Sequence, residues 1–191
     1  HGVQFTYKNQ RHSLTRALAY HYLMADGTPF QSQEGWQTMQ YNQEFKNRDP
    51  RMAQTIAAPD YVAVGTDAST KYYPSCKDYD RSGYRPIKYF SDATHDGATT
   101  STTDYAIFRY GEVLLNYAEA KAELGEADQT VIDQTVNVIR ARVGMPALDV
   151  TKANGTPDAF LSSYYTDKHL DGPDKGLILE IRRERTVELV N

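Results

Sequence analysis

The chain has 191 residues, with 40% hydrophobic and 24% charged residues, so it has the composition of a folded globular domain rather than a disordered one. Its formal net charge is -4, and it contains no block of five or six lysines and arginines, which argues against nucleic acid as a partner. Tyrosine is abundant, with 15 residues against 6 phenylalanines and 1 tryptophan. A tyrosine ring suits both polar ligands and the edge of a core, so composition does not decide between the two.

Metal and cofactor sites find little support in the sequence. Cys76 is the single cysteine, which excludes an intramolecular disulfide and any multi-cysteine zinc or iron–sulfur site. The five histidines do not have the spacing of zinc ligands. The DYDRSG stretch lacks the EF-hand pattern, although calcium binding in a loop stays open. We therefore expect no catalytic residues, no metal and no cofactor.

The N-terminal part carries one amphipathic pattern. Residues 11–25 place Leu14, Leu18 and His21 on one face at helical spacing, and Gly27 follows as a stop signal. This pattern predicts a helix over 11–25.

A long region of irregular sequence follows. From about 26 to 105 the chain is dense in Gly, Pro, Ser, Thr, Asp and Asn and has no sustained helical period. Disorder is the weaker interpretation, because most of the aromatic residues of the chain lie here. We expect functional loops, since structureless segments of this length are uncommon in compact domains.

The pattern becomes helical again after this region. Residues 106–124 carry an apolar stripe that includes Ile107, and the predicted second helix spans 129–143. Gly125 fits a left-handed C-cap, and Asp128 fits an N-cap. Two helices with so short a link predict an antiparallel helical hairpin.

The C-terminal part predicts further helices. Residues 175–189 have Leu177, Ile178 and Ile181 on one side, with Arg185 and Glu188 continuing it as an expected partly buried pair. A short helix is expected near 160–165, between loops. No strand hairpin is evident, and no apolar run reaches the roughly 18 residues of a membrane-spanning helix.

Five stretches of the sequence, in one order, resemble the SusD/RagB family. They are MADGTPF at 24–30, NRDPRM at 47–52, RYGEVLLNYAEAKAELG at 109–125, VIRARVGMP at 138–146 and EIRRERTVEL at 180–189. The resemblance implies a mainly α fold, SusD-like, with tetratricopeptide-like helix pairs, long irregular loops and little β structure. It predicts a single SusD/RagB-like domain over 1–191, partial in extent, with a loop-rich ligand region at about 26–105 and a helical region at about 106–191.

The same resemblance implies a function and a place in the cell. Members of the family are nutrient-binding lipoproteins on the outward-facing surface of the Bacteroidetes outer membrane. They capture an oligosaccharide or polysaccharide and deliver it to a SusC-like TonB-dependent transporter, without catalysis. We expect any membrane contact to be made only through a lipid anchor that this chain does not include. The segment that usually follows Asn191 in the family is also missing, so the ligand site is expected to be incomplete.

Candidate ligand residues come from their chemistry, because the resemblance fixes none of them. Aromatic rings pack on the C–H faces of sugars, and polar side chains bind sugar hydroxyls. The candidates are Trp36, Tyr72, Tyr73, Arg81 and Tyr84. The alternative for each ring is that it pins a loop to the helices. Trp36 is the best candidate, because a tryptophan within QEGWQTMQY is hard to explain as core.

Two other functions remain open. A peptide ligand, as in RagB-like or tetratricopeptide proteins, would bind a groove that helix residues line. A glycoside hydrolase would need two carboxylates in different environments, and the glutamates at 112, 119, 123, 184 and 188 mostly lie on predicted solvent faces of helices. The cluster of Arg48, Asp49 and Arg51 is expected to fix a loop rather than to catalyse a reaction.

Overall fold

The described part of the chain is mostly helical. The computed structural model describes residues 13–62, 82–88, 106–166 and 170–190. Two 3-10 turns cover Phe30–Ser32 and Trp36–Thr38. The α-helices in these ranges are α1 (Arg16–His21), α2 (Tyr41–Glu44), α3 (Pro50–Thr55), α4 (Tyr110–Glu123), α5 (Gln129–Gln134), α6 (Val136–Arg142), α7 (Val150–Gly155), α8 (Ala159–Tyr164) and α9 (Lys175–Leu189).

Extended structure within the described ranges is limited to three isolated antiparallel bridges. They join Leu14 to Tyr84, Met24 to Arg48 and Ile56 to Pro86. The prediction of a mainly α fold with little β structure is therefore confirmed.

The central element is α9, which packs against α1, α3, α4, α7 and α8. Its bounds match the predicted helix over 175–189. Leu177 and Ile181 are fully buried, and burial of such a side chain stabilises the fold by about 1.5–3 kcal/mol. The larger apolar cluster consists of Leu115, Ala118, Ala122, Ile132, Val136, Ile139, Leu148, Ala153, Leu161, Leu170, Leu177, Ile178, Leu179 and Ile181.

A smaller apolar cluster joins α9 to the N-terminal elements. Val187 of α9 belongs to it, so one helix contributes to both clusters. Its buried members are Ala19, Tyr22, Met52, Ile56, Tyr84 and Val187.

The predicted helical hairpin is confirmed in outline, because α4 packs against α5 and α6. Gly125 has φ 69°, as a left-handed C-cap requires, and the Asp128 side chain accepts a hydrogen bond from the backbone N–H of Val131 at 2.9 Å. Ile107, however, precedes the helix and is 79% exposed, so its predicted place in the apolar stripe was wrong.

The predicted second helix over 129–143 is interrupted. Thr135 has φ -127° and ψ -88°, outside the helical region, and separates α5 from α6. Its Oγ1 donates a hydrogen bond to the carbonyl of Val131 at 2.6 Å. A threonine side chain that bonds the preceding turn tends to bend a helix, which accounts for the break.

The first helix is shorter than predicted. α1 begins after Thr15, whose side chain accepts a hydrogen bond from the N–H of Leu18, and ends at His21. Upstream, the N–H of Leu14 donates to the carbonyl of Tyr84 at 2.9 Å. A distant backbone partner therefore holds this residue in an extended conformation, which the local pattern did not indicate.

Two short helices lie between α6 and α9, and only the second of them was predicted. α8 confirms the helix predicted near 160–165. α7 was not predicted, although Asp149 caps it by accepting a hydrogen bond from the N–H of Lys152 at 2.7 Å. At the contact between α7 and α9, a Cβ atom on Gly176 would lie 1.9 Å from the carbonyl oxygen of Ala153.

A buried ion-pair network connects α3 to α9. Arg51 pairs with Asp49 at 2.6 Å and also contacts the carboxylates of Glu184 and Glu188. Burial alone would lower the pKa of Arg51, but the hydrogen bonds and charges of its carboxylate partners raise it well above the ordinary value. The predicted pairing of Asp49 with Arg51 is therefore confirmed, but it joins α3 to α9, and Arg48 binds backbone carbonyl groups.

The same network corrects two expectations. Glu184 is buried, although most of the helix glutamates were expected on solvent faces, whereas the burial of Glu188 agrees with its expected side of α9. Arg185 does not pair with Glu188; its Nε lies 3.1 Å from a carboxylate oxygen of Glu119. Spacing along α9 could place Arg185 and Glu188 on one face, but only the position of α4 decides which carboxylate each arginine meets.

Candidate functional site

Trp36 stands at the start of a 3-10 turn, directly after Gly35, whose φ of 69° turns the chain. The indole is partly exposed. Its ring meets Tyr20 edge-on at a centroid distance of 5.1 Å and Phe30 at 6.3 Å. Trp36 is thus fixed by two other rings and still has accessible surface, which are the properties of a stacking position for a ligand.

An open cleft of about 450 Å³ lies in the same stretch of chain. Apolar and polar side chains both line it, as is typical of small-molecule sites. The lining residues are Met24, Phe30, Gln33, Glu34, Gly35, Thr38, Met39, Gln43, Lys46 and Asn47.

The polar lining of this cleft was not predicted residue by residue. Gln33, Gln43 and Asn47 carry amides that can both donate and accept hydrogen bonds. The signal available in the sequence was the density of amide side chains on either side of Trp36. Asn47 also has φ 53°, a left-handed conformation that asparagine tolerates better than most residues.

The buried side chain of Arg48 supports the chain that lines the cleft. Its guanidinium donates hydrogen bonds to the carbonyls of Ala19 and Glu44 at 2.6 Å and of Tyr22 at 2.8 Å. It also stacks over the ring of Phe30 at 4.1 Å. Burial lowers the pKa of Arg48 to about 10, and the charges of nearby carboxylates only partly offset this effect. This one side chain therefore joins α1 to the chain that lines the cleft.

The other predicted ligand residues have different positions. Tyr84 is 6% exposed, and its hydroxyl donates to a carboxylate oxygen of Glu44 at 2.5 Å. Burial raises the pKa of Tyr84, and the bond to Glu44 raises it further. Its ligand role stays a prediction, and its buried position favours the alternative that it packs a loop. Tyr72, Tyr73 and Arg81 lie outside the described residues.

Comparison with known proteins shows to which family the chain belongs. The model of the SusD family matches residues 6–191. The chain belongs to the SusD family. A crystal structure of a SusD-like carbohydrate-binding protein from Bacteroides fragilis NCTC 9343 is 25% identical and superposes with a TM-score of 0.68. No curated protein shows significant sequence similarity.

This SusD family chain corresponds to only part of the related structure. The match covers 97% of this chain and 36% of the Bacteroides fragilis chain. The chain thus spans about a third of the length of that relative, and the SusD-like fold predicted from the sequence motifs is confirmed.

Four of the five helix glutamates considered as catalytic carboxylates pair with arginines; they are Glu119, Glu123, Glu184 and Glu188. Glu184 lies between Arg51 and Arg140, and burial would raise its pKa, but these two positive charges lower it below the ordinary value. A general acid for glycoside cleavage needs the opposite shift. On α4, Glu119 and Glu123 face arginines of α9. This arrangement is that of structural ion pairs.

Clusters of metal ligands and membrane-spanning helices are both absent from the described residues. Within residues 13–62, 82–88, 106–166 and 170–190, no group of three or more His, Cys, Asp or Glu side chains could hold a metal ion. Among the helices of these same ranges, none has the length and apolar character needed to cross a bilayer.

A second exposed surface lies on and beside α4. Tyr110, Val113 and Tyr117 are spaced three and four residues apart, so they share one face of the helix. Their exposed fractions are 74%, 56% and 50%. Exposed apolar patches are often interaction sites for other proteins or for ligands. The large exposed apolar side chains in this part of the chain are Ile107, Phe108, Tyr110, Val113, Tyr117 and Leu124.

Proposed function

We propose that the chain forms part of a surface protein that binds an oligosaccharide or polysaccharide in the cleft beside Trp36. The observation that carries the proposal is Trp36, a partly exposed ring fixed by Tyr20 and Phe30. Phe30 and Gly35, the residue before Trp36, also line the cleft with its amide side chains, although Trp36 itself is not among the lining residues. Family membership supports it, because a SusD-like relative is a carbohydrate-binding protein.

The chemistry of the cleft suits a sugar. The C–H face of a pyranose ring packs on an indole, while the amides of Gln33, Gln43 and Asn47 can bind hydroxyl groups as donors or acceptors. Two fixed neighbouring rings keep Trp36 in place, so little side-chain entropy is lost on binding. Tyr72, Tyr73 and Arg81 remain candidate contributors to the same ligand.

The proposal extends to the role of the whole protein. A SusD family protein of this kind would capture the glycan on the outward face of the outer membrane and deliver it to a SusC-like TonB-dependent transporter. No covalent bond is made or broken in this role. The arginine-paired state of Glu184 and Glu119 supports this non-catalytic role.

Affinity electrophoresis tests the glycan proposal. The purified chain would run in native gels that contain amylopectin, arabinoxylan, galactomannan or polygalacturonate, beside the variants Trp36→Ala and Tyr117→Ala. Tyr117 is a matched control, since it is a half-exposed aromatic residue on α4, outside the cleft. We expect retardation on at least one glycan, at least tenfold weaker affinity in Trp36→Ala, and no change in Tyr117→Ala.

Two other outcomes of this experiment would contradict the proposal. Equal retardation of the wild type and Trp36→Ala would remove the cleft as the binding site. Absence of retardation on all four glycans would contradict the proposal that this chain binds a polysaccharide.

A peptide or protein ligand is the second candidate, and the exposed apolar face of α4 favours it. Helix-in-groove and helix-on-helix contacts use apolar residues at this spacing. A library of apolar and amphipathic peptides immobilised on a membrane would test it, with Tyr117→Lys as the variant and Tyr164→Lys, of similar exposure, as the control. Loss of peptide binding in Tyr117→Lys alone would support this function, and equal binding by both variants would contradict it.

A further inference from the structure

A chain of ring contacts links Trp36 to a second exposed aromatic residue. Trp36 contacts Tyr20 at 5.1 Å, Tyr20 contacts Phe160 at 6.3 Å, and Phe160 contacts Tyr164 at 5.9 Å. Tyr20 belongs to α1, and the other two belong to α8. Helices that are distant in sequence therefore meet through their rings, with an accessible ring at each end.

Tyr164 combines exposure with a fixed position. It is 51% exposed, although it is the last residue of a helix that buries Leu161 in the core. Its ring meets His21 edge-on at 4.7 Å and Tyr165 at 5.0 Å, in addition to Phe160. A ring held by three other rings loses little freedom when a ligand stacks on it. This is the same combination that Trp36 shows.

Exposure alone would not distinguish Tyr164, because single exposed apolar residues are ordinary on protein surfaces. Tyr117 provides the comparison, since it is 50% exposed but lies over the ammonium of Lys121 at 6.0 Å on α4. Within the described residues, no chain of ring contacts joins Tyr117 to Trp36. Tyr164 is set apart by its connection to the cleft and not by its exposure.

We infer that Tyr164 is a second stacking position for the ligand that Trp36 binds. This inference rests on the proposed glycan function. It adds a requirement for length: the rings of Tyr20 and Phe160 separate Trp36 from Tyr164, so one sugar ring cannot stack on both, and the ligand must contain several linked sugars.

The test uses the same four polysaccharides in native gels. The variants are Tyr164→Ala and Tyr164→Leu, the second of which keeps an apolar side chain for packing but removes the aromatic face. Trp36→Ala and Tyr117→Ala run beside them, and a thermal melt checks that each variant is folded. On any polysaccharide that retards the wild type, we expect both Tyr164 variants to bind about two- to tenfold more weakly, as for the loss of one stacked ring.

Competition then tests the requirement for length. The competitors are the free monosaccharides of the retarding polysaccharide and the oligosaccharides from its partial acid hydrolysis. Substitution of Tyr164 should weaken competition by the longer oligosaccharides and leave that of monosaccharides unchanged.

The possible outcomes distinguish the inference about Tyr164 from the proposed glycan-binding function. Full retardation of a folded Tyr164→Leu variant, together with loss in Trp36→Ala, would overturn this inference and leave the proposed function intact. Absence of retardation in the wild type would overturn both. Equal weakening by Tyr117→Ala would also overturn the inference, because the effect would then not depend on the connection to Trp36.

Discussion

The guanidinium of Arg51 on α3 donates a hydrogen bond to the carboxylate of Glu184 on α9, across 133 positions of the sequence. Both groups are buried, with side-chain exposures of 6% and 2%. Arg140 of α6 binds the other oxygen of the same carboxylate at 3.0 Å. Three of the motifs that resemble the SusD/RagB family therefore meet at one glutamate.

Removal of this carboxylate should destabilise the fold. We expect Glu184→Ala to lower the free energy of unfolding by about 3 kcal/mol or more, because it leaves the buried charges of Arg51 and Arg140 without their shared partner. Urea denaturation measures the change. Glu119→Ala is the control, since Glu119 is 28% exposed and its ion pairs should contribute less than about 1 kcal/mol. An equal loss in the two variants would contradict the assignment of Glu184 as the shared partner.

The pH dependence of stability should reflect His21. This residue is fully buried, its Nδ1 lies 2.8 Å from the carbonyl oxygen of Ala17, and burial lowers its pKa from the ordinary value of 6.5. The unfolded chain thus binds a proton at a higher pH than the folded chain does. The contribution of His21 is fully present above about pH 6.5 and is lost as the pH falls from there towards the folded pKa.

Two measurements check this prediction. NMR titration of the His21 ring should give a pKa below 6.5 in the folded protein. Denaturation at several pH values should show that stability falls from pH 7 to pH 5, with a smaller fall in His21→Gln. A variant with the same pH slope as the wild type would show that other groups cause the fall.

The close approach of α7 and α9 should make Gly176 hard to replace. A methyl group at this position would lie 1.9 Å from the carbonyl oxygen of Ala153, so one helix would have to move. We expect Gly176→Ala to cost about 1–3 kcal/mol or more in the free energy of unfolding. Gly172→Ala is the matched control, because nothing lies within 4 Å of the added atom. A thermal melt of Gly176→Ala that coincides with that of the control would contradict the tight packing of these helices.

Local signals in the sequence predicted the helices of the C-terminal part well. α9 has a long apolar period, and Gly125 and Asp128 mark the turn of the helical hairpin. The local signals failed where a hydrogen bond to a distant residue, or from a side chain to the backbone, decides the structure. The carbonyl of Tyr84 keeps Leu14 out of α1, and the hydroxyl of Thr135 interrupts the second helix of the hairpin.

The candidate site was predictable only in part. Trp36 could be identified from the sequence as a candidate ligand residue, because a tryptophan in a polar stretch is hard to explain as part of the core. Tyr164 was not evident, because its importance comes from ring contacts between α1 and α8, and no local pattern reports such contacts. Arg48 was recognised as a member of a loop network, but its carbonyl partners follow from how the chain folds back on α1.

Substitution of Arg48 should affect both stability and the cleft. Arg48→Lys keeps the positive charge but cannot reproduce the fork that binds the carbonyls of Ala19, Tyr22 and Glu44. Because some of these buried carbonyls would lose their partner, we expect a loss of about 2–4 kcal/mol in the free energy of unfolding. Arg142→Lys is the control, since Arg142 is 57% exposed and should cost less than about 1 kcal/mol.

The same variant tests whether Arg48 shapes the site. Its ring contact with Phe30 and its bonds to α1 hold the chain that lines the cleft, so the folded Arg48→Lys variant should bind glycan more weakly than the wild type does. Affinity electrophoresis at a temperature well below the melting point of the variant measures this effect without unfolding. If the folded variant binds like the wild type, Arg48 stabilises the fold without shaping the cleft, and the geometry beside Trp36 depends on other contacts.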